Sequence, residues 1–231
     1  MSTGGIDPFV RIPGGWFEMG SDDGVEDERP VHRVWVDAFD LAVYPVTRRE
    51  YETFLQGTGH ERPREWESFD SSPDLPVVGV SWFDCQAYCE WRGRDAETVR
   101  LPTEAEWERA ARGGVEGQRY PWGDEIPGWI PDGGRGPLDG PWPVTLGEPN
   151  AFGLYGIGAN VHEWCADWYA SGYYAISPDR NPPGPASGSR RASRGGAWRH
   201  AITISRCAAR SRIDPSFRYT DYGFRLARNA T

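Results

Sequence analysis

The sequence predicts a single α+β domain, residues 1–231, with little regular secondary structure. The 29 glycines and 20 prolines among 231 residues favour turns and irregular segments over long helices. Three segments begin with the side-chain pairs that start helices, and five short segments alternate apolar and polar residues as strands do. The length is ample for one sizeable core, and no linker or internal repeat divides the chain.

Each predicted helix begins at a capping box, in which a Ser or Thr and an acidic residue three positions later bind each other's backbone N–H groups. The pairs are Thr47 with Glu50, Ser81 with Asp84, and Thr103 with Glu106. Glycine commonly follows the last turn of a helix. The second helix is therefore expected to stop at Gly93, and the third at about Arg112.

The predicted strands are short. They are Phe9–Ile12, Val34–Leu41, Ser193–Trp198, Ser205–Arg210 and Tyr222–Leu226. Between about residues 114 and 147 the chain is rich in Gly, Pro and Trp and has no periodicity, which predicts long coil. Such loops in a compact domain often carry function.

Composition excludes several classes of protein. All 25 basic residues are arginine, so no lysine is present to form a Schiff base or to serve a phosphate-binding loop. The net charge of −9, without a recognition helix or finger spacing, argues against a nucleic-acid partner. No apolar run approaches the roughly 18 residues of a membrane span. Residues 1–5 lack the features of a signal peptide, so a cytoplasmic location is expected.

The charges divide unevenly along the chain. Residues 1–179 hold 14 Arg and 32 acidic residues, whereas residues 180–231 hold 11 Arg and only Asp214 and Asp221. One explanation is that the two parts fold against each other and pair internally. The other is an arginine-lined cleft for an anionic or peptide ligand.

The four cysteines are Cys85, Cys89, Cys165 and Cys207. They form no paired Cys-x-x-Cys spacing, so a structural zinc site is not expected. In a cytoplasmic chain the expectation is four reduced, mostly buried thiols.

A series of motifs runs in order from about Ile12 to Arg225. They include Glu28-Arg29-Pro30-Val31-His32, Tyr44-Pro45-Val46-Thr47, the run from Arg100 to Glu108, the run from Asn150 to Trp164, and Gly223-Phe224-Arg225. With these motifs the chain resembles the formylglycine-generating enzymes, the sulfatase-modifying factor family. The resemblance implies a variant of the C-type lectin fold with little regular secondary structure.

The segment from Arg194 to His200, Arg-Gly-Gly-Ala-Trp-Arg-His, resembles the family's active-site segment but lacks its thiols. The family pattern is roughly Arg-Gly-Gly-Ser-x-x-Cys, with a second cysteine five residues later. By this resemblance His200 stands at the first reactive cysteine and Ser205 at the second. Copper-dependent oxidation of cysteine needs a soft pair of thiolate ligands. No formylglycine-generating activity is therefore expected.

The resemblance places His162 and His200 at one cleft, with His162 where these enzymes have a tryptophan. Two such imidazoles could share a transition metal, or one could act as a general base with a pKa near neutrality. The alternative is structural, with His162 bonded to a core backbone group and His200 capping a strand end.

Four further residues are candidate substrate contacts on the same resemblance. Trp198 would offer a flat apolar wall and Arg199 an anion contact. Ser205 and Arg210 would flank the region. A buried ion pair is the alternative role for Arg210.

The run from Gly153 to Trp164 resembles the family's calcium loop. The resemblance implies backbone carbonyl ligands at Ala159 and Val161 and a carboxylate ligand at Glu163. Gly156 stands where the family usually has Asp or Asn, so one side-chain ligand is lost. Glu163 could hold calcium weakly or pair with an arginine instead.

Two classes of function remain open. The first is an oxidoreductase-type or other modifying enzyme acting on a peptide or small metabolite. The second is a non-catalytic ligand-binding, peptide-binding or sensor module on the same scaffold, because a fold does not by itself determine function.

Overall fold

The computed structural model describes residues 8–64, 66–69, 71–93, 98–130, 135–136 and 138–230. Within them the strands are β1 (Phe9–Ile12), β2 (Gly15–Met19), β3 (His32–Val36), β4 (Phe39–Ala42), β5 (Val99–Arg100), β6 (His162–Trp168), β7 (Arg191–Arg194), β8 (Arg210–Ile213), β9 (Tyr222–Gly223) and β10 (Ala227–Asn229). The helices are α1 (Arg48–Thr58), α2 (Trp82–Arg92) and α3 (Glu104–Ala111). The elements are short and separated by turns, as the glycine and proline content predicts.

The strands form three sheets. Their orders are β1-β4-β10-β5, β2-β3 and β8-β7-β6-β9. In the third sheet β6 pairs antiparallel with β7 but parallel with β9, which sets His162 opposite Tyr222. The backbone N–H of His162 donates to the carbonyl of Asp221 at 2.9 Å. This parallel pairing brings two distant parts of the chain together at one end of the sheet.

All three predicted helices are confirmed, including their capping boxes. The third helix ends before Gly113 and Gly114, whose φ angles of 63° and 81° favour glycine. In the described part of residues 114–147 the chain forms turns without helix or strand, as predicted. None of the helices in the described ranges is long and apolar enough to cross a bilayer.

The strand predictions were less accurate. β1 has its predicted bounds, but the predicted strand Val34–Leu41 is divided between β3 and β4. The predicted strand Ser193–Trp198 ends early because Gly195 takes a φ of 78°, which turns the chain out of the sheet. Of the predicted strand Tyr222–Leu226, only Tyr222–Gly223 forms a strand, β9, and β10 begins after it at Ala227.

The predicted strand Ser205–Arg210 is wrong. Ile202–Ser205 forms a short 3-10 helix, and strand β8 begins only at Arg210. The prediction also missed β2, β5, β6 and β10. Of these, β6 matters most because it carries the first residue of the candidate site.

Strand β6 lies between two apolar clusters. One contains Trp164 with Tyr51, Tyr88 and Phe224 from α1, α2 and the C-terminal segment. The other contains Trp107 of α3 packed near β2, β3 and β6. Both tryptophans are completely buried. The strand is therefore fixed by packing on both sides.

The C-terminal arginines mostly pair with acidic residues from the earlier part of the chain. The pairs include Arg206 with Glu28, Arg210 with Glu104, Arg212 with Asp27, Arg218 with Asp84, Arg225 with Glu163 and Arg228 with Asp40. Internal pairing, the first explanation of the charge asymmetry, accounts for these residues.

All four cysteines are free and buried, as expected. Burial raises the pKa of Cys89 and of Cys207 to about 12, because the thiolate loses its hydration. Burial also raises the pKa of Cys85 and of Cys165. At neutral pH the chain therefore presents no thiolate nucleophile of the kind that reactive cysteines require.

Candidate functional site

His162 begins strand β6 at the centre of the third sheet. Its side chain is buried and stacks on the ring of Tyr222, with centroids 4.6 Å apart and an interplanar angle of 27°. The parallel pairing of β6 with β9 creates this contact. The imidazole is therefore held in one orientation by sheet geometry.

His200 lies on the turn that follows β7. Its backbone N–H donates to the carbonyl of Ala197 at 2.9 Å, and its side chain is 30% exposed. Nδ1 of His200 lies 3.2 Å from Nε2 of His162. The structure thus brings together the two histidines that the sequence placed at one cleft.

Asp221 is the third member of the cluster, and the sequence analysis missed it. Its Oδ2 lies 3.5 Å from Nε2 of His200, and the residue is buried. One possible ligand atom from each of the three residues lies within 4.8 Å of the others. The only sequence signal was that Asp221 is one of two acidic residues in an arginine-rich segment.

The cluster opens to a cavity of about 400 Å³. The lining includes His162, His200, Asp221, Ile204, Arg212 and Tyr219. Ile204 and Tyr219 are 43% and 46% exposed, so part of the rim is apolar, whereas the base is polar. Such a cavity suits a small molecule or a single side chain of a larger ligand.

Both imidazoles are predominantly neutral near pH 7. Burial and, to a lesser extent, nearby His200 lower the pKa of His162 to about 3, against the opposing effect of the backbone of Gly195. Burial also lowers the pKa of His200, as does Arg199, whereas Asp221 raises it. His162 is therefore too weak a base for proton transfer near neutrality, which corrects that prediction for this residue. His200 remains a candidate base, and both rings retain lone pairs that can bind a metal.

Trp198 does not form a wall of this cavity. Its side chain is completely buried and packs edge-on against Phe69, with centroids 5.5 Å apart. Its backbone N–H donates to the carbonyl of Asn160 at 3.0 Å, which fixes the segment along the 158–160 turn. The expectation of an apolar cleft wall is therefore wrong, and Trp198 is a core residue.

The other three predicted contacts occupy different environments. Arg199 is exposed and donates to Oγ1 of Thr220 at 2.9 Å, so it stays a candidate anion contact. Ser205 is buried at the end of its 3-10 helix. Its Oγ lies 2.6 Å from the point that a Cβ on Gly196 would occupy, which explains the glycine there. A substrate role for Ser205 does not fit this close packing.

Arg210 is a structural residue. Its Nε and one terminal nitrogen donate to the two carboxylate oxygens of Glu104 at 2.7 and 2.9 Å. Its side chain has no exposed area and lies 4.2 Å from the ring centroid of Tyr174. The alternative prediction of a buried ion pair describes Arg210 better than a substrate contact.

The predicted calcium loop does not fit calcium. Both carboxylate oxygens of Glu163 accept hydrogen bonds from Arg225 at 2.8 Å, and Trp107 donates to one of them at 2.7 Å. A calcium ion needs six to eight oxygen ligands, and here a guanidinium already neutralises the carboxylate. Ala159 and Val161 lie in apolar clusters. The assignment of Ala159, Val161 and Glu163 to a calcium site is replaced by the second alternative, an arginine pair.

Residues 3–230 match the sulfatase-modifying factor enzyme 1-like domain, and the chain belongs to this formylglycine-generating-enzyme family. The formylglycine-generating enzyme of Streptomyces coelicolor is 36% identical, over 96% of this chain and 89% of that protein. The inactive C-alpha-formylglycine-generating enzyme 2 of mouse is 32% identical, over 96% of this chain and 86% of that protein.

A second group of relatives is much longer. The serine/threonine-protein kinase pkn1 of Chlamydia pneumoniae is 39% identical over 96% of this chain, and the chain spans 38% of that kinase's length. Among solved structures, PvdO from Pseudomonas aeruginosa has a TM-score of 0.81 and 29% identity, covering 96% of this chain and 94% of PvdO. Treponema denticola variable protein 1 has the same TM-score and 25% identity, covering 96% of this chain and 95% of that one. The predicted fold, a formylglycine-generating-enzyme-like α+β fold, is confirmed.

Proposed function

We propose that this chain is a modifying enzyme of oxidoreductase type that acts on a peptide or small metabolite at the His162–His200 cavity. The observation that carries the proposal is the 3.2 Å approach of two neutral imidazoles at the base of an open cavity. By resemblance, His200 stands where the family has its first reactive cysteine. At the position of the family's first reactive cysteine, this chain therefore has an imidazole in place of a thiol.

The same site argues against formylglycine generation. No cysteine lines the cavity among the described residues, and burial raises the pKa of all four thiols. An imidazole at position 200 and a buried hydroxyl at position 205 do not replace a pair of thiolate ligands.

Two roles are available to the imidazoles. His200, which is partly exposed and faces a buried carboxylate, can accept a proton from a bound molecule. Alternatively, His162 and His200 together hold a transition metal, which would supply Lewis-acid or redox chemistry to a ligand in the cavity. Arg199 would contact an anionic group of that ligand. A cytoplasmic location is part of the proposal, and four free thiols suit a reducing compartment.

The proposal is tested by incubating the purified protein with a metabolite extract and a peptide library, followed by untargeted mass spectrometry. Products should appear with the parent and with His60→Gln, but not with His200→Ala. His60 is a matched control because its imidazole pairs with Asp84 outside the cavity. Products that persist undiminished with His200→Ala would contradict the assignment of the site.

A non-catalytic ligand-binding or sensor module is the second candidate. It is supported by the match to a segment of longer protein kinases and by a relative described as inactive. A compound that the parent retains in equilibrium dialysis but never converts would favour this candidate over an enzyme.

A further inference from the structure

We infer that Asp221 is the third protein ligand of a mononuclear divalent-metal site with His162 and His200. The inference rests on the proposed function in one respect, because it assumes that this cavity is the working site. It adds the identity of the third ligand and the class of metal.

The separation of the two histidine nitrogens suits a shared metal. Nitrogen ligands lie about 2.1 Å from a metal such as zinc, so two of them 3.2 Å apart subtend roughly 100° at the ion. That angle lies between those of octahedral and tetrahedral coordination. The two rings are tilted by 57° with centroids 5.0 Å apart, so they do not stack on each other.

Asp221 differs from most of the other buried acids of the chain. Glu163, Glu104 and Asp84 each accept hydrogen bonds of 2.7–2.9 Å from an arginine. Among the described residues, the only ion pair of Asp221 is the 3.5 Å approach to His200. A buried carboxylate is costly unless it is neutralised. A metal cation bound to Asp221 would neutralise it.

The ligand atoms need only a small movement to close around an ion. They lie within 4.8 Å of one another, whereas adjacent ligands of one metal are about 3.0–3.4 Å apart. His162 is fixed by its strand and by stacking on Tyr222. His200 is partly exposed on a turn, so a rotation of its side chain can supply the movement.

Two neutral imidazoles and one carboxylate form a donor set of borderline hardness with one negative charge. This set is typical of non-haem Fe(II) and is also found with Zn(II), whereas soft thiolates select Cu(I). The open coordination positions would face the cavity. They would accept a ligand that coordinates through oxygen or nitrogen atoms, such as a carboxylate or hydroxyl group.

The geometry also suggests a competing arrangement, in which Asp221 orients His200 through Nε2–H and does not touch the metal. Two variants separate these roles. Asp221→Ala removes both the ligand and the hydrogen-bond acceptor. Asp221→Asn keeps an acceptor for Nε2–H but is a much weaker metal ligand.

The experiment is titration of the metal-free protein with Co(II), followed by visible absorption and calorimetry, with Zn(II) as competitor. The parent and His60→Gln should bind one equivalent of Co(II). Asp221→Ala and Asp221→Asn should both weaken binding by more than about 100-fold, beyond the roughly 10–100-fold effect of losing an orienting partner. His162→Ala and His200→Ala should abolish binding, and circular dichroism should report folded protein throughout.

Three outcomes would overturn the inference. Parent-like affinity in Asp221→Asn with weakened affinity in Asp221→Ala would place Asp221 behind His200 as a positioning residue. Unchanged affinity in both variants would leave a two-histidine site without Asp221. Absence of Co(II) and Zn(II) binding by the parent would remove the metal site but leave proton transfer by His200 to be tested in the extract assay.

Discussion

Glu163 and Arg225 form a completely buried, two-point ion pair between strand β6 and the segment that precedes β10. Each carboxylate oxygen accepts one hydrogen bond from the guanidinium at 2.8 Å. Arg225 also donates to the carbonyls of Ala42, Val43 and Tyr155, at 2.9–3.0 Å. The pair therefore joins the strand that carries His162 to three other parts of the chain.

Replacing Glu163 with alanine should destabilise the protein strongly, because it leaves an uncompensated buried guanidinium. We expect a loss of about 3–5 kcal/mol in the free energy of unfolding, measured by urea denaturation. A chelator should not change the result. Asp74→Ala, which breaks an exposed pair with Arg49, serves as the control and should cost less than about 1 kcal/mol. Equal stability of Glu163→Ala and the parent would refute the structural role of the pair.

Trp198→Ala should lower stability by about 3–5 kcal/mol, because it removes a fully buried indole from the core. Arg199→Ala, next in the chain but exposed, should leave the melting temperature nearly unchanged and weaken the binding of anionic ligands. Thermal melting and ligand titration of both variants check the distinction. A stable Trp198→Ala protein with selectively lost ligand binding would restore the cleft-wall prediction.

Asp167 provides a pH-dependent contribution to stability. Burial and, to a lesser extent, nearby Glu104 raise its pKa to about 8, from an ordinary value of 3.8. Between about pH 4 and pH 8 the folded state therefore binds a proton that the unfolded state does not, so this contribution is present at low pH and declines as pH rises.

Asp167→Asn should remove that dependence, since the amide is neutral and keeps an oxygen for the backbone N–H of Glu104. Urea unfolding at pH 5, 7 and 9 should show the variant gaining stability relative to the parent up to about pH 8. A stability difference that stays constant with pH would be inconsistent with a protonated Asp167. The free energy of unfolding of the variant is compared with that of the parent at each pH. This is necessary because His162, whose pKa is lowered, makes stability rise with pH between about pH 3 and pH 6.5 in both proteins.

Thiol titration should find four reactive groups in denatured protein under non-reducing conditions and almost none in the native state. The reason is that all four cysteines are free and completely or nearly completely buried. Two or zero thiols in the denatured sample would mean that disulfides form.

A Cys-x-Pro-x-Arg peptide should yield no aldehyde when incubated with copper-supplemented protein. The expectation follows from the imidazole at position 200 and the buried Ser205, which leave no thiol pair at the cavity. Mass spectrometry of the peptide checks it, with an active formylglycine-generating enzyme as positive control. Aldehyde in the sample, in excess of a copper-only blank, would contradict the prediction.

The helices could be predicted because their start signals are local. The Thr47–Glu50 contact joins residues three positions apart, so sequence spacing alone defines it. The strands were harder because their partners are distant. The residues of β9 were predicted as part of a strand, but no local pattern in the sequence encodes its parallel pairing with β6.

The candidate site was predicted in part for the same reason. His162 and His200 were placed together by resemblance to a family, and the 3.2 Å contact agrees with that placement. Asp221 was missed because it reaches the site through the parallel pairing of β6 with β9. Trp198 was misplaced because the resemblance put it at the cleft, whereas the chain turns at Gly195, which has a positive φ, and Trp198 is buried in the core.

The three groups of the cluster differ in how they are anchored. The backbone of His162 is bonded to that of Asp221 within the sheet, whereas His200 stands on a partly exposed turn. Displacing that turn would move His200 away from the cluster, while His162 and Asp221 kept their positions. Exchange of a bound molecule would then require movement of the turn alone, and not opening of the sheet.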